Sequence, residues 1–129
     1  MRMWMVDPEL LCDQHLLGEH VEIHMLVGAV GAGMSIRGYI EHGLLEPQNA
    51  HARHEQIVVE MRTRRFRHRS DLGELAHAPL GYVNRGKSIR DLCERCDKCR
   101  GRIQTCGAYK THRYYHKWGS TAPHGGNTL

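Results

Sequence analysis

Apolar residues recur at helical spacing through the first quarter of the chain. Leu10, Leu16, Leu17, Val21 and the Met25–Val27 group predict a helix from about Pro8 to Val30. Asp7-Pro8 marks its start, with Asp suited to the cap and Pro pre-set for the first helical position. The stretch GAVGAG, Gly28 to Gly33, ends it with weak helix formers. Ser35 to Leu45 reads as a connector or short helix. Pro47 precedes a second helix, about Gln48 to Arg65, with Ile57, Val58 and Met61 as its apolar stripe. Ser70 to Lys87, rich in Gly, Pro and Asn, reads as a loop. A third helix is expected from about Ser88 to Arg100. No stretch alternates at strand period and none repeats, so the pattern predicts an all-α fold built on three main helices.

Length and composition narrow this picture. The 129 residues suit one domain spanning 1–129, with about 120–129 as a flexible tail. At 40% hydrophobic and 25% charged, the chain has the make-up of a soluble globular protein. No apolar run reaches the roughly 20 residues a membrane span needs, which excludes a membrane partner of that kind. The opening MRMWMVDPE carries no signal-peptide core, so a cytoplasmic location is expected. The net charge of +4 and pI near 8.9 give a mild bias toward polyanions. Arg62 to Arg69, RTRRFRHR, concentrates that charge. By default such a run is a solvated helix end, which also suits the helix dipole. The eleven histidines would deepen the positive field below about pH 6.5.

Two groups of residues could carry chemistry. His15, Glu19 and Glu22 fall on one face of the first helix, and His20 and His24 stand one turn apart. Two histidines at that spacing can chelate. The zinc-peptidase pattern, however, places Glu directly after the first His, and here Val21 stands there. The second group is Cys93, Cys96, Cys99 and Cys106. Clustered cysteines in a cytosolic chain suggest metal binding or buried thiols more than disulfides. Zinc or an iron–sulfur cluster fits the CxxCxxC spacing. A continuous helix spreads those positions over about a third of its circumference, a poor tetrahedral site unless the helix breaks at Gly101. The expectation is therefore buried or half-buried thiols and no cofactor, with those four cysteines as the weaker metal option.

The segment DQHLLGEHVE, Asp13 to Glu22, closely resembles the phage pyrimidine-dimer DNA glycosylases of the endonuclease V type. In an ungapped register that family's helix histidine falls on His15 and its catalytic glutamate on Glu22. Its mature N-terminal residue falls on Met1 and the next arginine on Arg2. Arg2 is too bulky for ordinary removal of an initiator Met, so Met1 is expected to be retained. HEQIVVEMRTRRF, His54 to Phe66, is similar to the family's second long helix. SIRDLCERCDKCRGRI, Ser88 to Ile103, resembles its third, with Arg95 on a DNA-contacting arginine. RYYHK, Arg113 to Lys117, resembles its aromatic and basic C-terminal segment.

The resemblance implies a compact three-helix domain with an N-terminal arm lying near the first helix. It implies a repair glycosylase with abasic lyase activity, acting as a monomer on double-stranded DNA with a damaged or abasic site. Met1 and Glu22 become the catalytic pair. Arg2, Gln14, His15, His20, His24, Gln56, Arg64, Arg65, Arg95, Arg113, Tyr114, Tyr115 and Lys117 become the substrate- and DNA-binding set. An α-amine suits such chemistry: at pH 7 about one in seven is unprotonated, against about one lysine in 2,500. By analogy the amine attacks C1′ at a damaged pyrimidine, an imine forms, and β-elimination cuts the strand. Glu22 would offset the positive charge and move protons. His15 would hold phosphate or the opened sugar. Tyr114, Tyr115 and Trp118 could stack on bases or pack onto the helices.

The arginines flanking the family's glutamate correspond here to Val21 and Met25, with His20 and His24 beside them. A lesion related to the cyclobutane dimer, or a modified base, therefore stays open as substrate. Two other readings stay open as well: a DNA-binding module without catalysis, and a Cys/His metal protein with an adaptor role.

Overall fold

The helix expected from Pro8 onward forms in two pieces in the computed structural model, which describes residues 1–75 and 77–106. Asp7 caps a 3-10 turn over Pro8–Leu10, accepting the Glu9 N–H at 3.2 Å. Leu11 then turns extended, and α1 starts afresh at Asp13 and runs to Gly31. Its end is built as the glycine-rich stretch predicts. Gly33 takes φ +77, its N–H bonds to Val30 O at 3.0 Å, and the Met34 N–H reaches back to Ala29 O at 2.9 Å.

Then follow α2 (Arg37–Glu41), a 3-10 turn at Pro47–Asn49, α3 (Ala50–Thr63), α4 (Arg85–Arg95) and α5 (Asp97–Cys106). No strand occurs among the described residues, and the fold is all-α. The count of three helices is approximate. The short connector helix forms as α2, and the third helix is two, divided at Cys96 rather than at Gly101. Cys96 is extended, at φ −136 and ψ 111. Among the described residues no helix is long and apolar enough to cross a membrane.

One compact unit comprises Met1–Trp4 and Leu16–Val83. Here α1 buries Leu16, Glu19, Ile23 and Leu26, spaced three and four apart. Val21 and Met25, expected on the apolar stripe, are instead 53% exposed. The stripe runs through a carboxylate: Glu19 is buried and meets buried Arg53 of α3 at two points, 2.7 and 2.9 Å. Beside Arg53, α3 buries Ala50, His54, Ile57, Val58 and Met61. Two residues past its end Arg65, a non-glycine residue, takes φ 69, and the Phe66 N–H bonds to Met61 O at 2.8 Å. Buried Glu46 accepts the Asn49 side-chain amide and the Val83 N–H, each at 2.8 Å. That ties the loop after residue 75 back to the start of α3. Gly81 is needed there, because a Cβ would lie 2.1 Å from Leu45 O.

The other unit comprises Met5–His15 and, among the described residues, 84–106. Its apolar interior contains Val6, Leu10, Leu11, Leu92 and Ile103. Asn84 caps α4 by accepting the Lys87 N–H at 2.9 Å. Arg102 of α5 donates to Glu9 O at 2.8 Å and so holds α5 to the first 3-10 turn.

Candidate functional site

Glu22 stands half-buried on α1, and its carboxylate accepts the backbone N–H of Arg2. The next residue of the arm is fixed too, by the Met3 N–H on Leu44 O at 2.8 Å. The Arg2 guanidinium lies 3.8 Å over the ring of buried Trp4. Arg2 and Met3 are thus each held by a backbone N–H on an acceptor outside the arm, Glu22 and Leu44. The half-buried Met1 amine is one residue from the N–H that Glu22 accepts, and so comes within about 4 Å of that N–H. A carboxylate at such an amine can take a proton from a reacting group and offset positive charge nearby.

The one-face grouping of His15, Glu19 and Glu22 does not extend to Glu19, whose carboxylate is turned inward to Arg53. Among the other expected contact residues of this unit, Gln56 is exposed on α3 and accepts from Arg53 at 3.2 Å. Arg64 is half-buried and paired with Glu60 at 2.9 Å, and Arg65 is exposed.

His20 and His24 gather with His54 of α3 and His68 of the basic segment that follows it. Their candidate ligand atoms all lie within 4.8 Å of one another. Ring centroids stand 4.8 Å apart for His20 and His24 and 5.2 Å apart for His54 and His68. All four Nε2 atoms are buried and make no hydrogen bond among the described residues. The Nδ1 of His54 meets the Glu55 carboxylate at 2.9 Å. Burial, then the charges of His24, His54 and His68, lower the His20 pKa to about 4. Burial and the neighbouring rings also lower that of His24.

In the unit from Asn84 onward, Cys96 and Cys99 gather with Cys12 and His15, their donor atoms all within 4.8 Å of one another. The Cys12 and Cys96 Sγ atoms are 3.9 Å apart, and His15 Nδ1 lies 3.3 Å from Cys12 Sγ and 3.5 Å from Cys99 Sγ. Burial pushes the Cys99 thiol up to about 12. Burial also works to raise Cys96, but backbone N–H and thiol hydrogen bonds outweigh it and lower the value. This group could hold a metal ion. It differs from the expected set: half-buried Cys93 is outside it, and Cys12 and His15 stand in it. Gln14 is exposed beside the group and lines a surface hollow of 590 Å³ with Cys12, Asp97, Lys98 and Arg102. Arg95 is exposed, 4.0 Å from Asp91. Cys106 closes α5. Arg113, Tyr114, Tyr115, Lys117 and Trp118 lie outside the described residues.

Sequence reasoning missed Cys12, His54 and His68. The signal for Cys12 was available. CDQH at Cys12–His15 and CDKC at Cys96–Cys99 share one spacing.

Residues 1–73 match the family model described as pyrimidine dimer DNA glycosylase. No curated protein and no solved structure matches the chain.

Proposed function

The chain belongs to the pyrimidine dimer DNA glycosylase family, and from that membership we propose that Met1 and Glu22 form the active pair of a combined glycosylase and abasic lyase. The substrate is double-stranded DNA carrying a damaged pyrimidine, a cyclobutane dimer or a related lesion. The Met1 amine attacks C1′ of the damaged nucleotide. The bond from C1′ to the base breaks, and its electron pair leaves on the base, which takes up a proton. Opening of the sugar ring leaves an imine between the Met1 nitrogen and C1′. Glu22 offsets the positive charge that develops, then accepts the proton from C2′. The electron pair of that C–H bond expels the 3′ phosphate, which cuts the strand. Water hydrolyses the imine and frees the amine.

The observation that supports the reading is the Arg2 N–H donated to Glu22, one residue along the chain from the Met1 amine. Exposed Arg62, Arg65, Arg67 and Arg69 supply phosphate affinity on the same unit. Exposed Val21 and Met25 flank Glu22 and offer apolar contact to an extruded base or the sugar.

The test is strand cutting on a duplex containing a single cyclobutane dimer. Glu22→Gln is expected to slow cutting by about 100-fold or more while leaving duplex binding and the melting temperature near wild type. Equal cutting by both proteins would remove Glu22 from the reaction.

A further inference from the structure

We propose that Cys12, His15, Cys96 and Cys99 bind one zinc ion as a structural centre. The donor spacings are those of a tetrahedral site. Zinc bonds of about 2.3 Å to sulfur and about 2.0 Å to nitrogen set ligand separations near 3.8 Å for two sulfurs and 3.5 Å for sulfur and nitrogen. The observed separations are 3.9 Å for Cys12 to Cys96, and 3.3 and 3.5 Å from His15 Nδ1 to Cys12 and Cys99.

The backbone is arranged around the same point. Cys12 immediately precedes α1 and Cys96 immediately precedes α5, each followed by an Asp and with a second donor in the first turn. Cys12 Sγ accepts the His15 N–H at 3.5 Å, and Cys96 Sγ accepts the Cys99 N–H at 3.4 Å. The Cys12 N–H in turn donates to Cys99 Sγ at 3.3 Å. A neutral thiol is a weak cap. A thiolate is an anion at a helix N-terminus, where N–H groups and the dipole favour it. Both helix breaks therefore fall where a thiolate is aimed at a common centre. Three thiolates this close repel unless a cation sits among them, and a divalent ion removes their protons.

A different observation carries a second metal ion, on His20, His24, His54 and His68. Four buried Nε2 atoms have no hydrogen-bond partner among the described residues, the candidate ligand atoms of these histidines lie within 4.8 Å of one another, and leaving buried polar atoms unpaired is costly. A borderline divalent ion such as zinc satisfies all four at once. The Glu55 carboxylate on His54 Nδ1 fixes the tautomer that turns a lone pair on Nε2 inward, as a carboxylate does behind a metal-bound histidine. His68 belongs to a segment of alternating arginines, so a ligand bond explains why its half-buried ring is turned toward His20 of α1 and His54 of α3. In this assignment His20 and His24 leave the DNA-contacting set.

The experiment is metal analysis of untagged full-length protein, paired with visible and near-ultraviolet spectra after replacing zinc by cobalt. Two zinc equivalents per chain are expected. The double variant Cys96→Ser, Cys99→Ser should lose one equivalent and the thiolate-to-cobalt charge-transfer band. The double variant His24→Gln, His68→Gln should lose the other equivalent and keep that band. Cys93→Ser serves as the folded control and should keep both. Wild-type protein without zinc, or with iron in its place, or without the charge-transfer band, overturns the cysteine site. A single equivalent that the cysteine variant abolishes overturns the histidine site. The wild-type stoichiometry and spectrum decide even if a variant fails to fold.

Discussion

The Glu19 carboxylate and the Arg53 guanidinium meet inside the first unit at two points, 2.7 and 2.9 Å, with side chains 0% and 2% exposed. The pair joins α1 to α3, the helices that also bear Glu22 and, of the four grouped histidines, His20, His24 and His54. Removing one partner strands a buried charge. Glu19→Gln or Arg53→Met alone should each lower stability by about 3–5 kcal/mol. The double variant Glu19→Met, Arg53→Met should recover most of that loss, because apolar groups of similar volume need no partner. Urea titration checks this, and additive losses in the double variant would contradict the pairing.

Arg65 holds a left-handed conformation that suits glycine, just beyond the C-cap of α3. Arg65→Gly should raise stability by about 1 kcal/mol through relief of that strain. It also removes an exposed cation, so the slope of log affinity for duplex DNA against log salt should shrink by about 1. Thermal melts and a salt series measure the two effects separately. A stabilised variant with an unchanged salt slope would remove Arg65 from the DNA-contacting residues.

In chelator-treated protein the histidine group should make the fold sensitive to acid. Burial, with His24 on α1, His54 on α3 and His68 beyond it, lowers His20 from 6.5 to about 4. Between those values the unfolded chain binds more protons than the folded one, so stability falls as pH drops through that window. The urea midpoint should be lower at about pH 5 than at about pH 7.5, and the drop should shrink in His20→Gln. A midpoint equal at both pH values would contradict this.

Much of the fold was legible because its signals are local. The Asp7-Pro8 cap, the glycine stop near residue 33 and the apolar stripe of α3 each depend on a few adjacent residues. The exposure of Val21 and Met25 was not legible, because tertiary pairing of Glu19 with Arg53 rotated the buried face of α1 toward a carboxylate. Nor was the break at Cys96, since propensity alone carries a helix through it. The proposed pairing of Met1 with Glu22 rests on the register with a known family, whose model matches residues 1–73. The donor groups were half-read. His20 and His24 stood out by spacing, but the partners that complete each group come from elements 30 and more residues away.

Covalent trapping reads out the proposed imine itself. Wild-type protein is incubated with a duplex carrying one abasic site in the presence of borohydride, and the adduct is digested and mapped by mass spectrometry. A stable protein–DNA adduct attached at the Met1 nitrogen is expected, absent when that amine is first blocked. An adduct mapping to a lysine, or no adduct from folded protein with a free amine, would contradict it.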